Sequence, residues 1–159
     1  MRVRVIAVGT RLPAWVNSGF ADYQRRLRGA DALELVEIPL ARRAAGAAGA
    51  VAERAMAAEA AHILARLEPR EFVVALEERG QLFTTVQLRD WLAQRRRSGA
   101  PLAFILGGPD GLAPAVLERS QLRWSLSPLT FPHGLARVLL AEQLYRASTL
   151  LAGHPYHRP

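Results

Sequence analysis

Two patterns of apolar residues alternate along this chain. Mostly apolar runs lie at 3–8, 33–38, 72–76, 102–106 and 123–126, short enough for strands buried on both faces. Between them, apolar residues recur every three or four positions, over 15–27, 51–67, 85–97 and 134–152, with room for a short helix after Pro114. This alternation predicts an α/β protein with a mostly parallel sheet flanked by helices.

We expect residues 1–159 to form a single domain, since the length suits one domain and the chain shows neither an internal repeat nor a linker. Residues 41–50 (ARRAAGAAGA) are small and otherwise featureless, which predicts a mobile loop. His62 falls outside the apolar stripe of its helix and is expected in solvent. The Arg95–Arg97 triplet is expected to be a solvated helix end, close to the negative end of the helix dipole.

Three loops leave the carboxyl ends of predicted strands: the loop after Leu76, the loop at 107–111 (GGPDG) and the loop at 126–133 (LSPLTFPH). Ligands of open parallel sheets bind outside these strand ends. The three loops are therefore expected to converge on one crevice.

The glycine loop has two interpretations. Pro-Asp-Gly is strong turn chemistry, so GGPDG can be a plain connection between a strand and a helix. Alternatively, its glycines let a ligand approach main-chain groups closely. The loop does not follow the first strand and no Walker-type motif is present, which disfavours a dinucleotide or phosphate-loop site. The second unusual loop, at 126–133, favours a pocket over two unrelated turns.

Charge and composition narrow the class of protein. The formal net charge is +7, and all 21 basic residues are arginine. Codon bias accounts for the missing lysine, but the positive surplus favours a polyanionic partner such as nucleic acid. The chain has no cysteine, which excludes disulfides and thiolate chemistry. Without a secretory or membrane-length apolar segment, a cytoplasmic protein is expected.

Several blocks of sequence resemble one family across nearly the whole chain. They are VIAVGTRLPAWVNSGFADYQRRL at 5–27, LVEIP at 35–39, LGGPDGL at 106–112, SLSPLTFPHGLARVLLAEQLYRA at 125–147 and the terminal HPYHR. The chain resembles the RlmH family, pseudouridine N3-methyltransferases of large-subunit (23S) ribosomal RNA in the SPOUT class. The resemblance implies an α/β-knot fold with a C-terminal trefoil knot, a rare exception to unknotted chain paths.

The resemblance also implies S-adenosylmethionine as cofactor, with no metal. The matching motifs place the cofactor contacts on Leu76, Gly107, Gly108, Leu126, Ser127, Pro128, Leu129, Thr130 and Phe131. These positions lie in the three loops singled out above. Pro128 departs from relatives that carry a small residue there, and it has no N–H to donate.

A homodimer with a catalytic crevice shared between subunits is a further implication of the resemblance. The last helix agrees with it. Leu140, Leu144, Ala147 and Leu151 form one apolar stripe, and further apolar residues widen the stripe beyond a single face. A helix of this kind is buried in a core or shared with a partner.

Methylation of a uracil-type N3 requires removal of the N3 proton, by a base or with the help of cations that stabilise the developing charge. The candidates are His133, His154, His157 and, less strongly, Glu142, with Arg137 as a residue that could face the substrate. Each has a plain structural alternative. Glu142 has the spacing to pair with Arg146, and His133 can simply pack at the start of the helix.

The terminal segment contains His154, Tyr156, His157 and Arg158. Such a segment can be a frayed terminus, but it also suits stacking on an extruded base and holding phosphate. We expect it to bind ribosomal RNA, more plausibly within the assembled ribosome because so small a chain has little room for a separate RNA-binding domain. Two rivals remain: a non-catalytic ribosome-associated factor, and a SPOUT enzyme that methylates tRNA or a ribose hydroxyl.

Overall fold

The structure, a computed structural model, describes residues 1–157. Its elements in chain order are β1 (Val3–Val8), α1 (Ala14–Arg26), a 3₁₀ turn (Gly29–Asp31), β2 (Leu33–Ile38), α2 (Ala50–Arg66), β3 (Phe72–Leu82), α3 (Thr85–Ser98), β4 (Leu102–Leu106), α4 (Pro114–Arg119), β5 (Leu122–Ser125) and α5 (His133–Leu151). Over these residues, no helix is both long and apolar enough to cross a membrane.

The five strands form one sheet in the order β2-β1-β4-β3-β5, and all four pairings are parallel. This confirms the predicted α/β class. The trefoil knot and the single-domain assignment stay predictions.

Helices cover both faces of the sheet, which explains why the strands are apolar throughout. In β4, Leu102, Phe104 and Leu106 pack into one core with α1, α3 and α5. The residues between them, Ala103 and Ile105, pack into a second core with α2 and α4. Successive side chains of a strand point to opposite faces, so a strand between two helical layers has no polar side.

β3 is longer than its apolar run predicts. The first part of β3 pairs with β5 as far as Leu76, and pairing resumes at Gln81, so that both residues face Trp124. Gly80 lies so close to β5 that a Cβ on it would come within 2.7 Å of the backbone of Arg123 and Trp124. The predicted loop after Leu76 is thus a bulge inside one strand, held close to β5 by a glycine.

Two surface predictions need correction. Among the three arginines at the end of α3, only Arg97 is exposed. The Arg95 guanidinium lies 4.6 Å from the centre of the Phe72 ring, and Arg96 bonds to Asp31 and to the Ser148 hydroxyl. Trp15 is the first residue of the apolar periodicity over 15–27, which predicts that it faces the core, but its side chain is 56% exposed. His62 is exposed, as predicted.

Candidate active site

The three predicted loops meet around one cavity of about 720 Å³ at the carboxyl edge of the sheet. Eight of the nine predicted cofactor residues line it: Leu76, Gly107, Gly108, Leu126, Ser127, Leu129, Thr130 and Phe131. Pro128 is exposed and is not part of the lining. The volume is within the usual range of a small-molecule site.

Close packing explains the first two glycines of the loop. A Cβ at Gly107 would come within 2.6 Å of the Gly111 carbonyl group. A Cβ at Gly108 would lie 3.1 Å from the side chains of both Leu40 and Val8. The Gly111 N–H donates to the Gly108 carbonyl at 3.1 Å, which closes the turn. Gly107 and Gly108 therefore present backbone atoms to the cavity, which Pro109 and Asp110 of the same loop also line.

The second loop is shaped by its serines. The Ser125 hydroxyl donates to the Ser127 carbonyl at 2.9 Å, and the Leu129 N–H donates to the Ser127 hydroxyl at 2.9 Å. The second bond spans Pro128, whose missing N–H therefore costs this turn nothing. Beneath the loop, the Trp124 indole N–H is buried and has no hydrogen-bond partner among the described residues.

His133 is the only predicted base that lines the cavity in the described part of this chain. It is the first residue of α5 and is half-buried. Burial lowers the pKa of its imidazole below the usual value of 6.5, and the nearby Arg137 cation lowers that pKa further, whereas Glu59 opposes the shift. The side chain is therefore neutral at pH 7 and able to accept a proton.

Arg137 lies in the core and is 1% exposed. Its guanidinium pairs with the Glu37 carboxylate at 2.9 Å and donates to the carbonyl oxygens of Val8 and Gly9. These bonds tie α5 to the carboxyl ends of β1 and β2. In this chain, the donors of Arg137 are directed at the protein's own backbone and Glu37.

Glu142 forms the predicted ion pair with Arg146. The Arg146 Nε donates to it at 2.8 Å, and Gln143 and the Tyr156 hydroxyl also lie within bonding distance. This confirms the structural interpretation of the i, i+4 spacing. The carboxylate is engaged away from the cavity, whose lining does not include it.

The terminal segment folds back onto α5. The Tyr156 ring meets the Tyr145 ring edge-on at 4.7 Å, and the Arg146 guanidinium lies 5.1 Å from the Tyr156 ring centre. Burial, followed by the Tyr23 hydroxyl and the Glu142 carboxylate, raises the pKa of Tyr156 to about 12.

The remaining residues of the predicted RNA-binding segment flank Tyr156. His154 is exposed and accepts the Tyr156 N–H, and the His157 Nδ1 is buried without a partner among residues 1–157. Arg158 lies outside the described residues.

Sequence reasoning missed Glu77 and Glu78 in the cavity lining and an ionic group behind the glycine loop. Arg43, from the segment predicted to be a featureless loop, pairs with Glu59 of α2 and with Asp110 of the glycine loop. These partners lie 16 and 67 residues away in the chain. No local pattern marks such a contact; the only available signal was two adjacent arginines in an otherwise apolar segment.

The fold and the cavity define the class of protein: a parallel α/β protein, covered on both faces by helices, with a cavity at the carboxyl edge of its sheet, where ligands of such folds bind. A crystal structure of a probable methyltransferase from Bordetella pertussis Tohama I has a similar fold. The TM-score is 0.52 over 92% of this chain and 93% of that chain, and at 24% identity the likeness shows the fold alone.

Family membership follows from the sequence comparisons. The model of the predicted SPOUT methyltransferase family matches residues 1–157. Proteins named ribosomal RNA large subunit methyltransferase H are 50% identical in Pseudomonas aeruginosa (strain UCBPP-PA14) and 52% identical in Alkalilimnicola ehrlichii. The alignments cover 99% of this chain and at least 99% of those relatives. The chain belongs to the SPOUT methyltransferase family, which confirms the resemblance recognised in its motifs.

Proposed function

We propose that this protein uses S-adenosylmethionine to methylate N3 of a pseudouridine in large-subunit ribosomal RNA, in the cytoplasm and on the assembled ribosome. The observation that carries the proposal is the cavity at the strand ends, where the three motif-bearing loops of a SPOUT methyltransferase come together. Relatives that are about half identical over their full length are named as large-subunit ribosomal RNA methyltransferases, which supports this substrate class.

The lining of the cavity fits this cofactor. Leu76, Leu126 and Phe131 offer apolar surface for an adenine ring, while the glycine turn and the serine-held loop offer main-chain groups for its polar edge. The carboxylates of Glu77 and Glu78 also line the cavity and complement the cationic sulfonium and ammonium groups. When bound, the cofactor supplies a methyl group that its sulfonium has already activated.

The protein's own residues then have to place the base and remove the N3 proton. His133 is the residue we assign to that step, because it combines a place in the cavity wall with a lowered pKa. Arg137 supports it indirectly by fixing α5 to the sheet.

We further propose that two copies of the chain form the complete crevice. The terminal segment follows the far end of α5, and the 19-residue helix is about 28 Å long at 1.5 Å per residue. Among the described residues, none after Ala136 lines the cavity of the same chain. Leu135, Val138 and Leu139 are only half-buried. A second subunit packed on α5 would cover them and could bring its His154, Tyr156, His157 and Arg158 to the site.

Binding and transfer measured on a shortened chain test this division of labour. Removing residues 154–159 is expected to abolish methyl transfer to ribosomes while leaving S-adenosylmethionine affinity within about twofold in calorimetric titration, since the cavity lining is untouched. Equal loss of binding and transfer would contradict it. Absence of cofactor binding by the full-length chain would instead favour the non-catalytic ribosome-associated factor.

A further inference from the structure

We propose that Arg43 is a positioning residue that holds the glycine loop in its cofactor-binding shape through Asp110. This inference rests on the proposed function, because it assigns the loop to the cofactor.

The anchor of the group is Glu59, a carboxylate on α2 with a side chain only 2% exposed. A buried carboxylate is stable only when it is paired and hydrogen-bonded. Arg43 supplies the paired cation through Nη2, and the Ala41 N–H donates to the same carboxylate oxygen at 3.1 Å. Both donors come from the segment after β2, so Glu59 fixes that segment against α2.

The other arm of the guanidinium reaches the glycine loop. Arg43 Nη1 donates to the Asp110 carboxylate, and the Arg43 side chain is only 9% exposed. Asp110 is in the cavity lining, between the glycines of the closed turn. The Arg43 guanidinium thus bonds through Nη2 to a buried carboxylate and through Nη1 to the glycine loop. A lysine cannot reproduce this geometry, because its single ammonium group cannot reach both carboxylates in the same way.

The packing beneath the loop points to the same role. Leu40, three residues before Arg43, has its Cδ1 3.1 Å from where a Gly108 Cβ would be, and a Glu59 oxygen is 3.7 Å from that point. Leu40 and the side chain of Glu59 therefore pack directly against Gly108. Loss of the Arg43–Asp110 bond should therefore free the glycine loop from Leu40 and Glu59 while the hydrophobic core stays packed.

Two conservative variants separate positioning from folding. Arg43→Lys keeps the positive charge next to Glu59 but loses the bond from Nη1 to Asp110. Asp110→Asn keeps the Arg43–Glu59 pair but removes the charged acceptor on the loop. Each is expected to weaken S-adenosylmethionine binding about 5- to 10-fold in calorimetric titration. Their matched controls are Arg54→Lys on the exposed surface of α2 and Asp90→Asn on α3, which should leave affinity unchanged.

The double variant tests whether Arg43 acts through Asp110. If it does, the double variant should bind S-adenosylmethionine no more weakly than the more damaging single variant. A loss of affinity equal to the product of the two single losses would overturn the proposal. S-adenosylhomocysteine, which lacks the sulfonium charge, should lose the same factor as the charged cofactor. A loss confined to the charged cofactor would show that Asp110 acts by charge, contrary to the proposal.

Hydrogen exchange of the ligand-free protein gives a readout that needs no cofactor. The amides of Gly108 and of residues 110–112 should exchange faster in Arg43→Lys and in Asp110→Asn than in the wild type or in Arg54→Lys, with thermal stability nearly unchanged. Unchanged exchange at these amides would overturn the positioning role. If the wild type fails to bind S-adenosylmethionine, the proposed function fails, and this exchange experiment still decides whether Arg43 holds the loop.

Discussion

At the scale of single residues, the proposed proton removal depends on His133. Its imidazole is in the cavity wall, and burial together with Arg137 keeps it neutral at pH 7. His133→Asn keeps a polar side chain of similar size but cannot accept the proton. We expect the single-turnover rate of methyl transfer to fall roughly 10²- to 10⁴-fold with cofactor affinity little changed.

The pH profile distinguishes a base from a packing residue. The lowered pKa means that more than half of His133 is still neutral at pH 6.5, so the wild-type rate should reach half of its maximum at a pH below 6.5. The residual rate of His133→Asn should lack this acid limb. His62→Asn, an exposed change on α2, is the control. An unchanged profile in His133→Asn would assign proton removal elsewhere.

Tyr156 gives a second prediction at this scale. Because the folded protein keeps the Tyr156 proton until about pH 12 and the unfolded chain loses it near pH 10, the docked tail contributes stability that is complete below pH 10 and is lost as pH rises towards 12. Absorbance titration of the three tyrosines should therefore show a late step that Tyr156→Phe removes. A late step that survives in Tyr156→Phe would refute the docking.

At the scale of elements, the join between β3 and β5 positions the loops on either side of the cavity. Gly80→Ala would push a methyl group against the backbone of Arg123 and Trp124, which cannot yield as a flexible side chain does. We expect a loss of about 1–3 kcal/mol in the free energy of unfolding, measured with urea. The neighbouring exposed change Gln81→Ala should cost much less, and equal costs would contradict the close strand contact.

What the sequence could predict at this scale follows from periodicity. Strand β4 has the predicted bounds and the helices differ by about a residue at each end, because buried strands and amphipathic helices leave patterns in consecutive residues. The second half of β3 was missed because its residues are polar and pair only through β5. Arg43 was missed for a related reason, since its partners become neighbours only in the folded sheet.

Part of the candidate site was likewise predictable from the sequence, and part was not. The convergence of the three loops was predictable because glycines, prolines and serines mark loops, and parallel strands bring such loops to one edge. The assignment of eight lining residues to the cofactor comes from the family resemblance and stays a prediction. The burial of Arg137 was not predictable, because an arginine near a helix start is usually solvated. Its partners, Glu37 and two carbonyl groups, come close to it only in the folded protein.

At the scale of the whole molecule, the proposed crevice shared between subunits would make two inactive variants complementary. Gly107→Ala disturbs the glycine turn, where the added methyl group would meet Gly111, and removal of residues 154–159 deletes the tail. Each alone should be inactive. After mixing and subunit exchange, half of the dimers combine both chains and have one intact crevice of two, so about a quarter of wild-type activity should return. No recovery would contradict the shared crevice.

Transfer of a labelled methyl group from S-adenosylmethionine to rRNA is the direct test of the proposed reaction. The purified protein, labelled S-adenosylmethionine and ribosomes lacking the modification are incubated, and the rRNA is digested for nucleoside mass analysis. Label is expected in N3-methylpseudouridine of large-subunit rRNA and in no other nucleoside. Label in tRNA or on a ribose hydroxyl, or bound cofactor with no transfer to any ribosomal RNA, would contradict it.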